Sequence, residues 1–187
     1  MFYGEPHCSN FLLTFIPAFT IFADNLKQWR MDKKILFVCM GNICRSPAAE
    51  GIFSDMVAAR GLSGLYLIDS AGTYGGHRGE LPNPVMREAG SRRGYDFRHR
   101  ARLVSPGDFD RFDMVIAMDD NNYQDLFYMA PTLEAREKIR RMVEFGSRRD
   151  HTYIPDPYYG GVDGFELVLD LLENHCAGLL DYLENNK

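Results

Sequence analysis

A short apolar run, followed by a glycine-containing loop and a proline, is the feature that most constrains how this chain can fold. Residues 35–38 form an uninterrupted apolar run, which is typical of a parallel strand buried on both faces. The loop 40–43 comes next, and Pro47 stands where a helix opens, with apolar residues recurring at helical spacing until Gly61. This order of strand, tight loop and amphipathic helix predicts the start of a parallel βαβ unit.

The rest of the chain from residue 33 continues the alternation of strands and helices. Further strands are predicted at 65–68, 114–118 and 142–145, and helices at 84–93, closed by Gly94, and from about residue 121. The last helix is the clearest, with Asp163 or Gly164 as its cap. Its apolar stripe consists of Phe165, Val168, Leu169, Leu172, Cys176, Leu179, Leu180 and Leu183. The alternation predicts an α/β domain in three layers, with helices on both faces of a parallel sheet.

The first thirty residues differ from the remainder. Residues 11–22 are rich in apolar side chains, but the stretch before them contains Glu5 and His7 and no Lys or Arg, whereas a secretory signal starts with positive charge. The 187 residues leave room for one domain. We therefore predict that residues 1–30 are an N-terminal extension outside the fold and that 31–187 form the domain. A signal peptide cleaved after Ala23 is the alternative.

Composition excludes several classes of protein. A net charge of −5 argues against nucleic acid as the main partner. The sequence contains no stretch of 18 uncharged apolar residues, so no membrane span is predicted. The content of 13% aromatic residues excludes intrinsic disorder. Four cysteines are too few for a disulfide scaffold, and the spacing of Cys39 and Cys44 is not that of zinc ligands.

The loop after the first strand has the residues that an oxyanion site needs. A loop of this length can curl so that its backbone N–H groups point inward, and the following helix adds its own free N–H groups. Gly41 and Asn42 tolerate the unusual φ values of such a curl, and Arg45 offers a planar fork of donors. The predicted phosphate loop comprises Met40, Gly41, Asn42, Ile43, Cys44, Arg45 and Ser46.

Cys39 stands at the start of this loop, where inward-pointing amides and a guanidinium would hold its sulfur as a thiolate. Ser46 is placed to donate its hydroxyl to that sulfur. A thiolate beneath a bound phosphoryl group is an in-line nucleophile for phosphorus. The alternative is structural: Cys39 and Cys44 as small core residues and Arg45 as a surface charge.

Attack by a thiolate alone must expel a phenolate or alkoxide, which is a poor leaving group. A carboxylic acid is therefore needed to protonate that leaving group and later to activate water. Asp156 is the candidate, because prolines flank it and Tyr158 and Tyr159 follow. The alternative is a proline-bounded surface turn.

The segment Cys39-Met40-Gly41-Asn42-Ile43-Cys44-Arg45-Ser46 resembles the signature loop of the low-molecular-weight protein tyrosine phosphatases. The resemblance extends from about Lys33 to the C-terminus and includes residues 70–73, residues 98–102 and Met118-Asp119. It implies the strand order 2-1-3-4 and the hydrolysis of phosphotyrosine in proteins through a phosphocysteine, without metal or other cofactor, in the cytoplasm. It makes Asp156 the acid and then the base, with Tyr158 and Tyr159 at the mouth of the pocket.

The same resemblance implies weaker roles for other residues. His99 would hydrogen-bond Asn42 and so shape the loop, although a solvated histidine in a basic run is the alternative. Ser70 and Asp119 would brace the sheet and the loop. Cys44 would form a reversible disulfide with Cys39, or else be an inert loop residue.

Two departures from the family pattern put substrate selectivity in doubt. Many relatives carry an aromatic residue near Gly76, and Tyr74 is placed to take over as the wall of the pocket. Residues 82–85 also lack the Asp and Arg often found there.

Several readings compete with a tyrosine phosphatase. An arsenate reductase needs further relay cysteines, whereas Cys176 is the only later one and lies on an apolar stripe. A phosphoarginine phosphatase tends to have Thr where this chain has Ile43. A non-catalytic phosphotyrosine-binding module would be expected to lack Cys39, Arg45 or Asp156. We expect a phosphotyrosine protein as substrate, a cognate tyrosine kinase as possible partner, and a monomer or weak dimer.

Overall fold

The computed structural model describes Met1 and residues 33–186. Apart from Met1, the predicted N-terminal extension at 1–30 lies outside the described residues. Within the described residues, no helix is both long and apolar enough to cross a bilayer.

The centre of the domain is a four-stranded parallel sheet. Its strands are β1 (Lys33–Cys39), β2 (Tyr66–Gly72), β3 (Met114–Ala117) and β4 (Ile139–Arg141). Their order is β2-β1-β3-β4, and in the register Ile35 pairs with Ile68 on one side and Met114 on the other. This confirms the strand order that the family resemblance implied.

Helices cover both faces of the sheet. They are α1 (Arg45–Ala59), α2 (Pro84–Arg92), α3 (Asp108–Arg111), α4 (Asp120–Met129), α5 (Leu133–Glu137) and α6 (Gly161–Asn185). Ile35 and Phe37 pack into a core with α1, α2 and α6, whereas Leu36 and Val38 pack into a second core with α3, α4 and α5. Successive side chains of β1 therefore enter opposite layers, which explains its uninterrupted apolar run and confirms the three-layer prediction.

Local signals set several helix ends. The Asn83 side chain accepts from the Val85 N–H ahead of Pro84, so α2 begins with a capping residue and a proline in its first turn. Gly94, with φ of 90°, follows its end as predicted. Asp119 caps α4 by accepting from the Asn122 N–H at 2.8 Å.

The prediction of a fourth strand at 142–145 is wrong. β4 lies just before it, and Met142–Glu144 forms a 3₁₀ turn that buries Met142. β4 is an edge strand, and two of its three residues are the half-buried Arg140 and Arg141.

Aromatic rings explain how arginines fit on this strand. The Arg140 guanidinium lies 5.3 Å from the Phe145 ring centroid, and that of Arg141 lies 3.8 Å from the Tyr123 centroid. Because the strand's arginines pack on rings that lie outside the strand itself, the strand has no apolar periodicity to detect.

The predicted cap of the last helix is also wrong. α6 begins at Gly161, with Gly160 as its N-cap, directly after the 3₁₀ turn Pro157–Tyr159. Gly161 has φ of 66°, a left-handed conformation that glycine adopts at little cost and that lets the chain enter the helix earlier than Asp163.

Candidate active site

The predicted nucleophile, phosphate loop and acid line one cavity at the carboxyl end of β1. Cys39 ends this strand, α1 begins at Arg45, and Asp156 comes from the segment before α6. The cavity measures about 180 Å³. It is lined by Cys39, Met40, Gly41, Ile43, Cys44, Arg45, His77, Asp156 and Tyr158. Parallel strands in α/β folds commonly place ligand sites at this edge of the sheet.

The phosphate loop has the curled backbone that its sequence predicted. Asn42 has φ of 54°, the one positive value among the described non-glycine residues. The loop packs closely on Gly72 at the end of β2, where a Cβ atom would approach the Asn42 Cβ to 3.1 Å and crowd the Met40 carbonyl. Glycine at 72 therefore allows β2 and the loop to touch.

The Asn42 side chain, only 1% exposed, holds the loop through four hydrogen bonds. Its amide donates to the hydroxyls of Ser46 and Ser70, each at 2.9 Å. Its oxygen accepts from the Arg102 backbone N–H at 2.9 Å and pairs with His99 Nε2 at 3.1 Å. The structure thus brings together Asn42, His99 and Ser70. A fully satisfied buried network of this kind rigidifies its surroundings.

Ser46 contacts the nucleophile directly. Its hydroxyl lies 3.1 Å from Cys39 Sγ and 3.2 Å from the Ala71 carbonyl. The hydroxyl has one proton, so it can donate to only one of them. When Cys39 is a thiolate it cannot donate, and the Ser46 proton must turn to the sulfur.

Arg45 is 2% exposed and connects three segments. Nη1 donates to Asp119 and to the Ile154 carbonyl at 3.1 Å, and Nη2 donates to Asp156 at 2.7 Å. Burial opposes its charge, but the negative charges of Cys39, Asp156 and Asp119 raise the guanidinium pKa above its ordinary value. Arg45 therefore remains a cation in the site.

The three hydrogen bonds of Arg45 use both Nη1 hydrogens and one Nη2 hydrogen, and they leave the Nε–H unused. Its Nε–H is buried and has no hydrogen-bond partner among the described residues. An orphaned buried donor beside a cavity is the signature of an absent acceptor, and an oxyanion would satisfy it.

Asp156 lies at the lip of the cavity, with its side chain 37% exposed. Oδ2 accepts from Arg45, and Oδ1 accepts from the Tyr158 N–H at 3.1 Å. Tyr158 lines the cavity and is 55% exposed, and Tyr159 follows it in the same 3₁₀ turn.

Cys44 also lines the cavity. Burial and the neighbouring negative charge of Cys39 raise its pKa to about 12. Cys44 is therefore a neutral thiol at pH 7 and does not compete as a nucleophile.

His77 is a cavity residue for which the sequence carried no signal, because it lies in a loop without periodicity. Its Nδ1 is 2.9 Å from Glu80, and its ring packs against Gly41. Tyr74, placed by sequence at the pocket wall, is 57% exposed and lies outside the lining. Its ring contacts His77 edge-on and covers Gly76, where any side chain would collide with it.

Asp119 and Glu50 also act in the site through other residues. Asp119 uses one carboxylate oxygen for Arg45 and the other for the cap of α4. Glu50 accepts from Ser70 at 2.6 Å and lies 2.9 Å from His99 Nδ1. In the sequence, Glu50 is a single carboxylate that follows Ala49, and this position alone did not indicate a role in the site.

Among the described residues, Glu50, Asp69 and His99 are the group whose ligand atoms could share a cation, since these atoms lie within 4.8 Å of one another. All three already have protein partners: Ser70 for Glu50, Arg102 for Asp69 and Asn42 for His99. The group lies behind the phosphate loop, and none of its members lines the cavity.

Comparison with known proteins places this site in a family. The family model described as low molecular weight phosphotyrosine protein phosphatase matches residues 34–187. The low molecular weight protein-tyrosine-phosphatase YfkJ of Bacillus subtilis is 42% identical over 154 residues, covering 82% of this chain and 97% of that protein. The human low molecular weight phosphotyrosine protein phosphatase is 34% identical over 150 residues, covering 80% and 94% respectively.

A solved structure agrees with these relatives. The crystal structure of a protein tyrosine phosphatase from Entamoeba histolytica, with Hepes in its active site, superposes with a TM-score of 0.79. It is 43% identical and covers 82% of this chain and 97% of that one. A cysteine-centred phosphate loop on a parallel α/β sheet defines the class as a cysteine-dependent phosphatase.

The chain belongs to the low molecular weight phosphotyrosine protein phosphatase family. It is a hydrolase of phosphotyrosine in proteins.

Proposed function

We propose that the chain hydrolyses protein phosphotyrosine by a metal-independent, two-step reaction through a phosphocysteine. Cys39 is the nucleophile, Arg45 the phosphate clamp, and Asp156 first the acid and then the base. The phosphate loop binds the phosphoryl oxygens, with Asn42 and Ser46 in support. His99 and Ser70 act through Asn42 as positioning residues, while Tyr158, Tyr159 and Tyr74 form the rim that meets the substrate ring.

The observation that carries this proposal is a cavity lined by Cys39, Arg45 and Asp156, with the buried Nε–H of Arg45 left without a hydrogen-bond partner within residues 33–186. The cavity thus contains a nucleophile, an unused donor for a phosphoryl oxygen and a carboxyl group. These are the three functions that phosphoryl transfer to sulfur requires.

In the first step, the Cys39 thiolate attacks phosphorus while the bond from phosphorus to the tyrosine oxygen breaks. Asp156, protonated, gives its proton to the departing phenolate, which leaves as tyrosine. Ser46 donates to the sulfur while it is an anion and so stabilises it before attack and again as the leaving group.

In the second step, Asp156, now a carboxylate, takes a proton from water as the oxygen attacks phosphorus. The bond from sulfur to phosphorus breaks, phosphate leaves, and the thiolate and the protonated acid are restored. Charge on the equatorial oxygens is stabilised throughout by Arg45 and by the amides of the phosphate loop.

The competing readings find less support in the structure. Cys176 is fully buried in α6, with its sulfur 3.8 Å from the Ala49 carbonyl, so it is not placed for an arsenate-reducing relay. Ile43 lines the cavity and gives it an apolar wall suited to an aromatic ring rather than a guanidinium.

The test is a panel of substrates assayed side by side with chelator present: phosphotyrosine peptide, p-nitrophenyl phosphate, phosphoarginine and arsenate. Phosphotyrosine should be turned over fastest, with inhibition by vanadate. Rapid acid quench with ³²P-labelled substrate should trap label on Cys39. Loss of activity in chelator, or faster turnover of phosphoarginine or arsenate, would refute the proposal.

We propose further that the enzyme works in the cytoplasm on the product of a cognate tyrosine kinase, as a monomer or weak dimer. The three described cysteines are free thiols, which suits a reducing compartment. Cell fractionation and sedimentation velocity test these two points.

A further inference from the structure

A second concave surface lies beside the active site and has a different chemical character. This groove, of about 790 Å³, is lined by the end of the loop before α2, by α2 itself and by residues 94–100 after it. Its floor is apolar, formed by Leu81, Tyr95 and Phe97, with the last two rings stacked at 5.8 Å between centroids. Its rim carries the arginines Arg87, Arg98 and Arg100.

These rim arginines leave the groove positively charged. The Arg98 side chain is 83% exposed and pairs with Asp96 at 2.6 Å. Within residues 33–186, Arg87 and Arg100 contact the backbone carbonyls of Pro82 and Gly79 rather than carboxylates. Three guanidinium groups thus face one carboxylate, on a chain whose net charge is −5.

One loop connects the groove with the active-site cavity. His77 lines the active-site cavity, and Leu81, four residues later, lines the groove. The loop is held to the segment bearing Arg100 by two backbone hydrogen bonds, from Gly79 N–H to the Ala101 carbonyl at 2.7 Å and from Ala101 N–H to the Glu80 carbonyl at 2.9 Å. A substrate protein whose phosphotyrosine enters the cavity therefore has this groove next to it.

We propose that this groove binds an acidic peptide segment of the phosphoprotein substrate, next to the phosphotyrosine. The proposal rests on the proposed function and extends it to a class of substrate. Arginines on the rim match carboxylates in charge and geometry, and the apolar floor accepts an aliphatic or aromatic side chain between them. A peptide is favoured over a lipid surface or nucleic acid because the groove adjoins a site for phosphotyrosine in proteins.

The experiment compares two phosphotyrosine peptides that differ only in glutamate or glutamine beside the phosphotyrosine, with p-nitrophenyl phosphate as a substrate too small to reach the groove. For the wild type at low salt, we expect kcat/KM about tenfold higher for the glutamate peptide, carried by KM. The difference should fade at about 0.5 M salt, where charges are screened within a few ångströms.

Arg98→Glu is the informative variant, because its side chain is 83% exposed and lines the groove but not the active-site cavity. We expect it to abolish the preference for the glutamate peptide and to leave p-nitrophenyl phosphate turnover unchanged. Arg60→Glu is the matched control. This substitution reverses the charge of an arginine that also has an exposed ion pair, with Asp181. Arg60 lies at the opposite end of α1 from the phosphate loop.

Equal kcat/KM for the two peptides in the wild type would overturn the proposal, as would a preference that survives Arg98→Glu. An equal loss in Arg60→Glu would assign the effect to overall charge and not to the groove. Binding of phosphatidylserine vesicles that depends on Arg98, without any peptide preference, would make the groove a lipid site. Failure of the proposed function is distinguished by p-nitrophenyl phosphate turnover that persists in Cys39→Ser.

Discussion

The phosphate loop (residues 40–46) and the acid loop (residues 154–160), to which the proposed mechanism assigns its two halves, differ in burial. In the phosphate loop, Asn42, Arg45 and Ser46 are each at most 2% exposed, and a buried hydrogen bond joins Asn42 to Ser46. In the acid loop, the Asp156 side chain is 37% exposed and is held by two hydrogen bonds. The contrast follows from their tasks: oxyanion binding needs donors fixed in advance, whereas an acid that becomes a base must exchange protons with water.

Arg45 is the link between the two loops. It starts the helix that follows the phosphate loop, yet it donates to Asp156 and to the Ile154 carbonyl. The more rigid loop thus positions the more exposed one.

The largest effect is expected from removing the nucleophile. Cys39→Ser should lower kcat for p-nitrophenyl phosphate by roughly 10⁴-fold or more, because a serine hydroxyl is not ionised at neutral pH. Binding of phosphate, measured by calorimetry, should persist because the donors of the phosphate loop remain. Turnover near the wild-type rate would contradict the assignment of Cys39.

Removing the acid tests the other loop and also takes away one of the partners of Arg45. Asp156→Ala should lower kcat by about 10²–10⁴-fold, and more for phenyl phosphate than for p-nitrophenyl phosphate, since a poorer leaving group depends more on protonation. Asp163→Ala, an exposed carboxylate seven residues later, serves as control and should leave kcat unchanged. An equal effect on both substrates would argue against proton donation by Asp156.

Asn42 tests how far the phosphate loop depends on its buried network. Asn42→Ala should lower the free energy of unfolding by about 2–4 kcal/mol, because it loses four hydrogen bonds and forces alanine to a φ of 54°. Asn42→Gly also loses the hydrogen bonds, but glycine adopts a positive φ without strain. This variant should therefore be less destabilised than Asn42→Ala. Urea denaturation measures both, and kcat/KM should fall about tenfold or more in each. Equal stability of the two variants would indicate that backbone conformation contributes little.

Cys44 tests whether the phosphate loop protects its own nucleophile. Peroxide converts the Cys39 thiolate to a sulfenic acid, and the Cys44 sulfur then displaces its hydroxyl, releasing water and forming a disulfide. Oxidation of Cys39 also removes the negative charge that helps to raise the pKa of Cys44. Dithiothreitol should therefore restore most activity in the wild type and in Cys176→Ala, but only a minor part in Cys44→Ser. Equal recovery in all three would exclude a disulfide.

The smallest effect on activity is expected at His175 of α6, which packs against the segment that leads to the acid loop. This side chain is fully buried against Gly146, and neither ring nitrogen has a partner within residues 33–186. Burial, with the nearby charges of Arg149 and Arg148, lowers its pKa to about 4.

The unfolded chain binds a proton at His175 near pH 6.5, but the folded chain does so only near pH 4. Stability should therefore fall as the pH drops from about 6.5 to about 4, by at most about 3 kcal/mol. His175→Leu should flatten this dependence in urea denaturation and leave kcat at pH 7 unchanged. His151→Gln, with a half-buried histidine, should keep the slope. A slope unchanged in His175→Leu would assign the acid sensitivity elsewhere.

The sequence alone sufficed for the strand, the phosphate loop and the helix around Cys39. Here the signals are contiguous: a doubly buried strand must be apolar throughout, and the left-handed position of the loop is occupied by Asn42, a residue type that tolerates its φ of 54°. It did not suffice for β4, where Arg140 and Arg141 are accommodated by rings from other segments. Edge strands exposed to solvent have no obligatory pattern.

Sequence by itself thus determined the α/β class and the strand, loop and helix around Cys39, because these depend on neighbours within a few residues, and from them it predicted a nucleophile and an oxyanion site. Only the tertiary structure decided that Arg45 would meet Asp119 and Asp156, that His77 would line the cavity, and that arginines would rim a groove beside it. Arg45 is 74 and 111 residues from those two carboxylates. Contacts over such separations are created by strand order and helix packing, and they leave no local pattern in the chain.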